Sequence, residues 1–148
     1  MSWKKLLQSH KVHRHTTSLQ ELTEIRRLVA RDLADAAIPA LSEDRRFATA
    51  YNAALQTAKM AIACAGYRVA SVPGHHSLTF EGVKLSIGTQ AEQLADYFDA
   101  CRRKRNEIDY TGAMIATMTE ADEIVFHAKS FLDLVELWIE TTHPAMRR

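Results

Sequence analysis

The sequence predicts an all-α fold: a bundle of four long helices and one short helix. Two observations carry this. Apolar residues recur at three- and four-residue steps through long windows, the spacing that lines one face of a helix. Five glycines and three prolines in 148 residues fall mostly between those windows. Strand signals are nearly absent, with only Val83 to Ile87 competing for an extended reading.

The first long helix is expected over residues 17–37. Leu19, Leu22, Ile25, Val29, Leu33 and Ala36 form its stripe. Thr17 or Ser18 serves as N-cap, Glu21 stands at capping-box distance from Ser18, and Pro39 ends the helix. Ser42 caps the second, over 42–65, with Glu43 and Asp44 in its positive first turn and Gly66 as its stop. The inner face of this helix is small: Ala50, Ala53, Ala54, Ala58, Ala61 and Ala65 surround Phe47, Tyr51, Leu55 and Ile62. Small residues admit close neighbours, so this helix is expected at the centre of the bundle. Residues 67–76 are read as the main irregular loop, turning at Pro73-Gly74. A short helix follows around Leu78 to Ile87 and ends at Gly88. Thr89 opens the next long helix, over 89–110, with Leu94, Tyr97, Phe98, Cys101, Arg105 and Ile108 on one stripe; Gly112 stops it. The last runs over 119–140 from Thr119, with Glu120, Asp122 and Glu123 in its first turn. Ile124, Ala128, Phe131, Leu132, Val135 and Ile139 are its core positions, and Pro144 closes it.

The length suits one domain with a real core. Residues 1–16 read as a basic tail, 17–143 as the domain and 144–148 as a C-terminal tail. A net charge of +1 means that any attraction for nucleic acid must come from a local patch. Cys64 and Cys101 lie inside helical apolar patterns and form no CxxC, which fits buried free thiols in a reducing cytosol. No apolar run reaches the length of a membrane span, and the N-terminus is too short in its apolar part for a signal peptide. The expected location is cytoplasmic.

Seven histidines raise the question of a metal. His10, His13 and His15 have ligand-like spacing, but they share their segment with Lys4, Lys5, Lys11 and Arg14, which disfavour a dication, and no metal is expected. His75 and His76 beside Pro-Gly read as turn or capping residues, or as an RNA contact or acid–base pair. His127 reads as a packing residue. The chain has no G-x-S-x-G, S-x-x-K, phosphate-cradling glycine loop or H-E-x-x-H, and no Glu-x-x-His pairs of the di-iron bundles. No cofactor is expected.

The remaining candidate is the run from Cys101 to Tyr110. Arg102, Arg103, Lys104 and Arg105 are four consecutive cations, followed by Asn106, Glu107, Asp109 and Tyr110. At helical spacing Arg102 meets Asn106, Arg103 meets Glu107 and Arg105 meets Asp109. One reading is a solvated face stabilised by ion pairs. The other is a phosphate-binding patch, favoured by Arg105 falling on the inward stripe, where a charge needs a partner or a ligand.

This helix resembles that of the HEPN superfamily, small all-α domains often found in prokaryotic toxin–antitoxin and defence loci. The resemblance rests on Arg105-Asn106 followed by Tyr110, on Ala50-Tyr51-Asn52-Ala53-Ala54-Leu55, and on Gly66-Tyr67-Arg68 leading into His75-His76. It covers about residues 17 to 140. In RNase members an Arg, a polar residue and a later His from two protomers face each other across a dimer groove and cut RNA without metal. Arg105 and Asn106 match the first two positions; Tyr110 stands where the shortest form of the motif has histidine. Tyrosine exchanges a proton near pH 7 far less easily than histidine. Arg105 retains bidentate phosphate binding, and Tyr110 retains stacking and hydrogen bonding.

The resemblance implies a HEPN-like homodimer binding RNA or a nucleotide through Arg102, Arg103, Arg105, Asn106, His75 and His76, with a minimal nucleotidyltransferase as a candidate partner. The alternative is a metal-independent ribonuclease using Arg105 with Tyr110, or with a histidine of the 67–76 loop. A third reading is an interaction module in which Arg105 is paired with Asp109 or Asp99.

Overall fold

The computed structural model describes residues 1–112 and 114–148. Among the described residues, six α-helices and a two-stranded ribbon follow one another as α1 (Trp3–Gln8), β1 (Val12–Arg14), α2 (Leu19–Ala36), α3 (Glu43–Cys64), β2 (Tyr67–Val69), α4 (His75–Ile87), α5 (Glu92–Thr111) and α6 (Met118–Thr142). Short 3-10 turns at Thr89–Ala91 and Pro144–Met146 precede α5 and follow α6.

The small-faced helix α3 occupies the centre and packs on α2, α4, α5 and α6. Ala50, Ala53, Ala54, Ala58 and Ala61 are all buried, and the larger Phe47, Tyr51, Met60 and Ile62 fill the space between them. Phe80 of α4, Phe98 of α5 and Phe131 of α6 stack in series across the core, with ring centroids 5.9 Å and 5.3 Å apart. Gly82 of α4 faces α3 so closely that a Cβ there would come within 2.8 Å of the Ile62 Cδ1.

Helix ends follow capping chemistry. Ser18, Ser42 and Thr117 each accept a backbone N–H three residues on, and Thr117 with Glu120 forms a reciprocal capping box. The last helix therefore starts at Met118, one residue before the expected Thr119. At α2 the expected box is only half made: the Glu21 carboxylate turns to His15 and Thr17. Gly112 ends α5 at φ 64°, the left-handed conformation that glycine takes without a Cβ clash. Just beyond it, Asp44 of α3 accepts the backbone N–H groups of Ile115 (3.0 Å) and Ala116 (2.7 Å), fixing the α5–α6 connection to the start of α3.

Strands form at two places other than Val83 to Ile87, which is helical. β1 and β2 pair antiparallel, with Val12 opposite Val69 and Arg14 opposite Tyr67. The stretch read as a basic tail thus contains α1 and β1, anchored by buried Leu6 and Val12 and by Trp3 stacked on Tyr67 at 4.2 Å. The 67–76 stretch read as irregular contains β2, and its His75 and His76 already belong to α4. Three-residue strands are too short to show a period, so the ribbon is specified by its partners rather than by local pattern. The C-terminal residues also pack: the Met146 carbonyl accepts from Arg26 Nη2 at 2.7 Å. Arg26 in turn forms a two-pronged pair with buried Glu136 of α6, at 2.9 and 2.8 Å. No helix among the described residues is long and apolar enough to cross a membrane.

A candidate nucleic-acid interface

α5 carries the cationic run along the end of the bundle where α3 and α4 meet it. Ala95, Phe98 and Ile108 bury the helix against the core, and Arg105 lies on the same side. Its side chain is 22% exposed and its Nε is buried without a hydrogen-bond partner. Nη1 pairs with Asp109 at 2.7 Å, one turn on. Nη2 donates to Asn52 Oδ1 of α3 at 3.3 Å, and the guanidinium carbon stands 5.7 Å from the centre of the Tyr51 ring. This combines an ion pair, a cation–π contact and an unmet donor in one group.

Tyr51 is fully buried, and its hydroxyl lies 3.2 Å from His76 Nδ1. The His76 and His75 rings meet edge to face at 4.5 Å. Burial pushes the His76 pKa down to about 4, and the neighbouring His75, Arg105, Lys59 and Arg102 act in the same direction. His76 is therefore neutral near pH 7. With its proton on Nε2, Nδ1 accepts from the Tyr51 hydroxyl. Burial raises the Tyr51 pKa above the ordinary phenol value, against the opposing pull of Arg105 and Arg102, so the hydroxyl keeps its proton.

The structure thus gathers Arg105, His76, Tyr51 and Asn52, with Arg102 close enough to act on both aromatic groups electrostatically. Arg102 pairs with Asp99 at 3.4 Å instead of meeting Asn106. Arg103 is exposed and no Arg103–Glu107 pair forms; Lys104 reaches across to Glu120 of α6 at 2.7 Å. Asn106 is half-buried on α5. Tyr110 is 88% exposed and is not brought to Arg105. Helical geometry explains the separation: five residues rotate a side chain about 140° around the axis. Tyr51 and Asn52 belong to the stretch that carried the resemblance, but their part in the site was not read from the sequence. The signal that could have found them is that both stand on an alanine-rich face able to approach Arg105.

Neither cysteine is poised for reaction. Burial pushes both the Cys64 and Cys101 thiols up to about 11, which leaves them protonated. His127 packs its ring against Tyr97 at 4.4 Å. His15 is held by Glu21 at 2.8 Å, and among the described residues no three metal-ligating side chains converge.

A helical bundle with Arg105, followed by Asn106, turned inward on one core helix resembles the architecture of a HEPN domain. The family model of SAV_6107-like HEPN matches residues 37–136, from the end of α2 into α6. The chain belongs to the HEPN superfamily. No curated protein and no solved structure matches it.

Proposed function

We propose that the protein binds RNA or a nucleotide at the junction of α3, α4 and α5, with Arg105 as the principal phosphate ligand. The observation that carries this reading is the state of Arg105, held by Asp109 and Asn52 yet with a buried Nε that no protein acceptor satisfies. A buried unmet donor on a charged group is costly, and a side-chain rotation that brings Nε out to a phosphate oxygen would relieve it. Arg102, Arg103 and Asn106 add charge and hydrogen-bonding capacity along the same helix, and His75 and His76 border it from α4. Family membership supports a homodimer and a role in a prokaryotic toxin–antitoxin or defence system, with a minimal nucleotidyltransferase as partner. The exposed Tyr110, Met114 and Met118 around the α5–α6 corner give that end an apolar surface suited to a second copy of the chain.

One observation favours ribonuclease activity as a second reading. In the other tautomer, with Nδ1–H donated to the Tyr51 hydroxyl oxygen, neutral His76 leaves Nε2 free to accept the proton of a ribose 2′-hydroxyl while Arg105 offsets charge developing on the phosphate. Its depressed basicity limits it in the free protein, and a bound phosphate would raise it.

Incubating the purified protein with labelled single-stranded RNA in EDTA separates the readings. Retarded but intact RNA supports binding alone. Cleavage in EDTA that disappears in His76→Ala supports the ribonuclease. RNA that is neither retarded nor cut overturns both. Light scattering at micromolar concentration tests the dimer, and a monomer there counts against it.

A further inference from the structure

A cavity of about 640 Å³ lies between the β-ribbon, the start of α2 and the last turns of α3, and none of the α5 cations lines it. That volume lies within the range of small-molecule sites. Its lining divides by chemistry. Ile25, Ile62, Ala63 and Val69 supply apolar surface, and Tyr67, stacked on Trp3 on one side, adds aromatic surface. Lys59 and Arg68 supply cations, and neither has a carboxylate within ion-pair distance among the described residues.

Glu21 is the cavity's only carboxylate among the described residues. Both of its side-chain bonds, to His15 and to Thr17, are made through Oε1, which leaves Oε2 as an open acceptor. Partial removal from water lowers the Lys59 pKa from its ordinary value, a cost that an anionic ligand would offset.

We propose that this cavity is a second binding site, for a nucleotide. Lys59 and Arg68 hold the phosphate, Glu21 Oε2 accepts from a ribose hydroxyl or base amino group, and the base lies against the apolar wall. A bare anion would leave that wall and the acceptor unused, and an apolar ligand would leave the two cations unanswered. The site stands apart from Arg105 and does not depend on the role proposed for it.

The nucleotide has two sources, free or within an RNA strand. Lys59 follows Asn52 by seven residues on α3, about 10 Å along the axis and nearly on the same face. A strand whose phosphate engages Arg105 therefore has a straight path to this cavity.

Calorimetric titration of the full-length protein with AMP, adenosine and inorganic phosphate, beside binding of a labelled single-stranded 12-mer RNA, tests the proposal. Lys59 and Arg68 are exposed on the surface, so Lys59→Ala and Arg68→Ala retain the fold. An AMP site that persists in Arg105→Ala, weakens about tenfold in Lys59→Ala and in Arg68→Ala, and binds AMP better than adenosine supports the proposal. Unchanged 12-mer affinity alongside it assigns free nucleotide as the source. Absent AMP binding with a roughly tenfold loss of 12-mer affinity in both variants assigns the strand. AMP binding that Arg105→Ala abolishes and Lys59→Ala leaves intact overturns the proposal, as does indifference of both probes to both substitutions.

Discussion

Removing the Arg105 side chain has consequences for stability and for binding that differ in size, and the structure separates them. Its partner Asp109 is 43% exposed, so Arg105→Ala leaves that carboxylate to water rather than stranded in the core. The substitution removes an i,i+4 ion pair, a cation–π interaction and one long hydrogen bond to Asn52. Together these amount to about 2 kcal/mol, below the 3–5 kcal/mol expected on breaking a buried pair. The variant should therefore fold. A charge-assisted hydrogen bond to phosphate contributes about 1.5–3 kcal/mol, so RNA affinity should fall between roughly tenfold and a hundredfold. The slope of log affinity against log salt should become shallower by about 0.7 for each phosphate of a single strand that Arg105 no longer neutralises. Arg105→Lys keeps the charge but loses the planar fork, and should bind at an intermediate level. Filter binding or fluorescence anisotropy at several salt concentrations, with a urea melt of each variant, gives all three quantities. Unchanged affinity in a folded Arg105→Ala would refute a nucleic-acid role for the helix and leave the interaction-module reading in front.

Two other outcomes follow from the same network and from the far side of the bundle. His76 has a folded pKa of about 4 against about 6.5 unfolded, so the unfolded chain takes up the proton first as pH falls through that window. Its contribution to stability is present above pH 6.5 and is lost toward pH 4. Allowing for its partial exposure, about 1–2 kcal/mol should disappear, and His76→Gln should flatten that part of a urea-midpoint profile between pH 7.5 and 4.5; a profile identical to wild type would remove His76 from the titration. Glu136→Ala leaves Arg26, itself 12% exposed, without its two-pronged partner and should cost about 3–5 kcal/mol in chemical denaturation, whereas a loss below 1 kcal/mol would show that the α2–α6 pair contributes little.

Helix periodicity and capping residues were enough to specify the four long helices, because a twenty-residue stripe of Leu, Ile, Val and Phe repeats many times over its length. The alanine face of α3 likewise announced its central place, since only small side chains admit four neighbouring helices. Arg105 could be recognised as inward from its stripe alone, for its position follows from the same period as Phe98 and Ile108. The β-ribbon was not legible: Val12–Arg14 and Tyr67–Val69 are three residues each, and they become strands only because the fold of the residues between them, 15 to 66, brings them together. The partners of Arg105 were hidden for the same reason. Sequence offers neighbours at three and four positions, which gave Asp109, whereas Asn52 and Tyr51 reach the guanidinium from α3, and His76 of α4 joins through the Tyr51 hydroxyl. The sequence by itself determined the four long helices and which face of each is buried. Tertiary structure decided which polar groups meet at the ends of those helices, because a side chain's distant neighbours depend on how whole helices cross, and no local spacing encodes that.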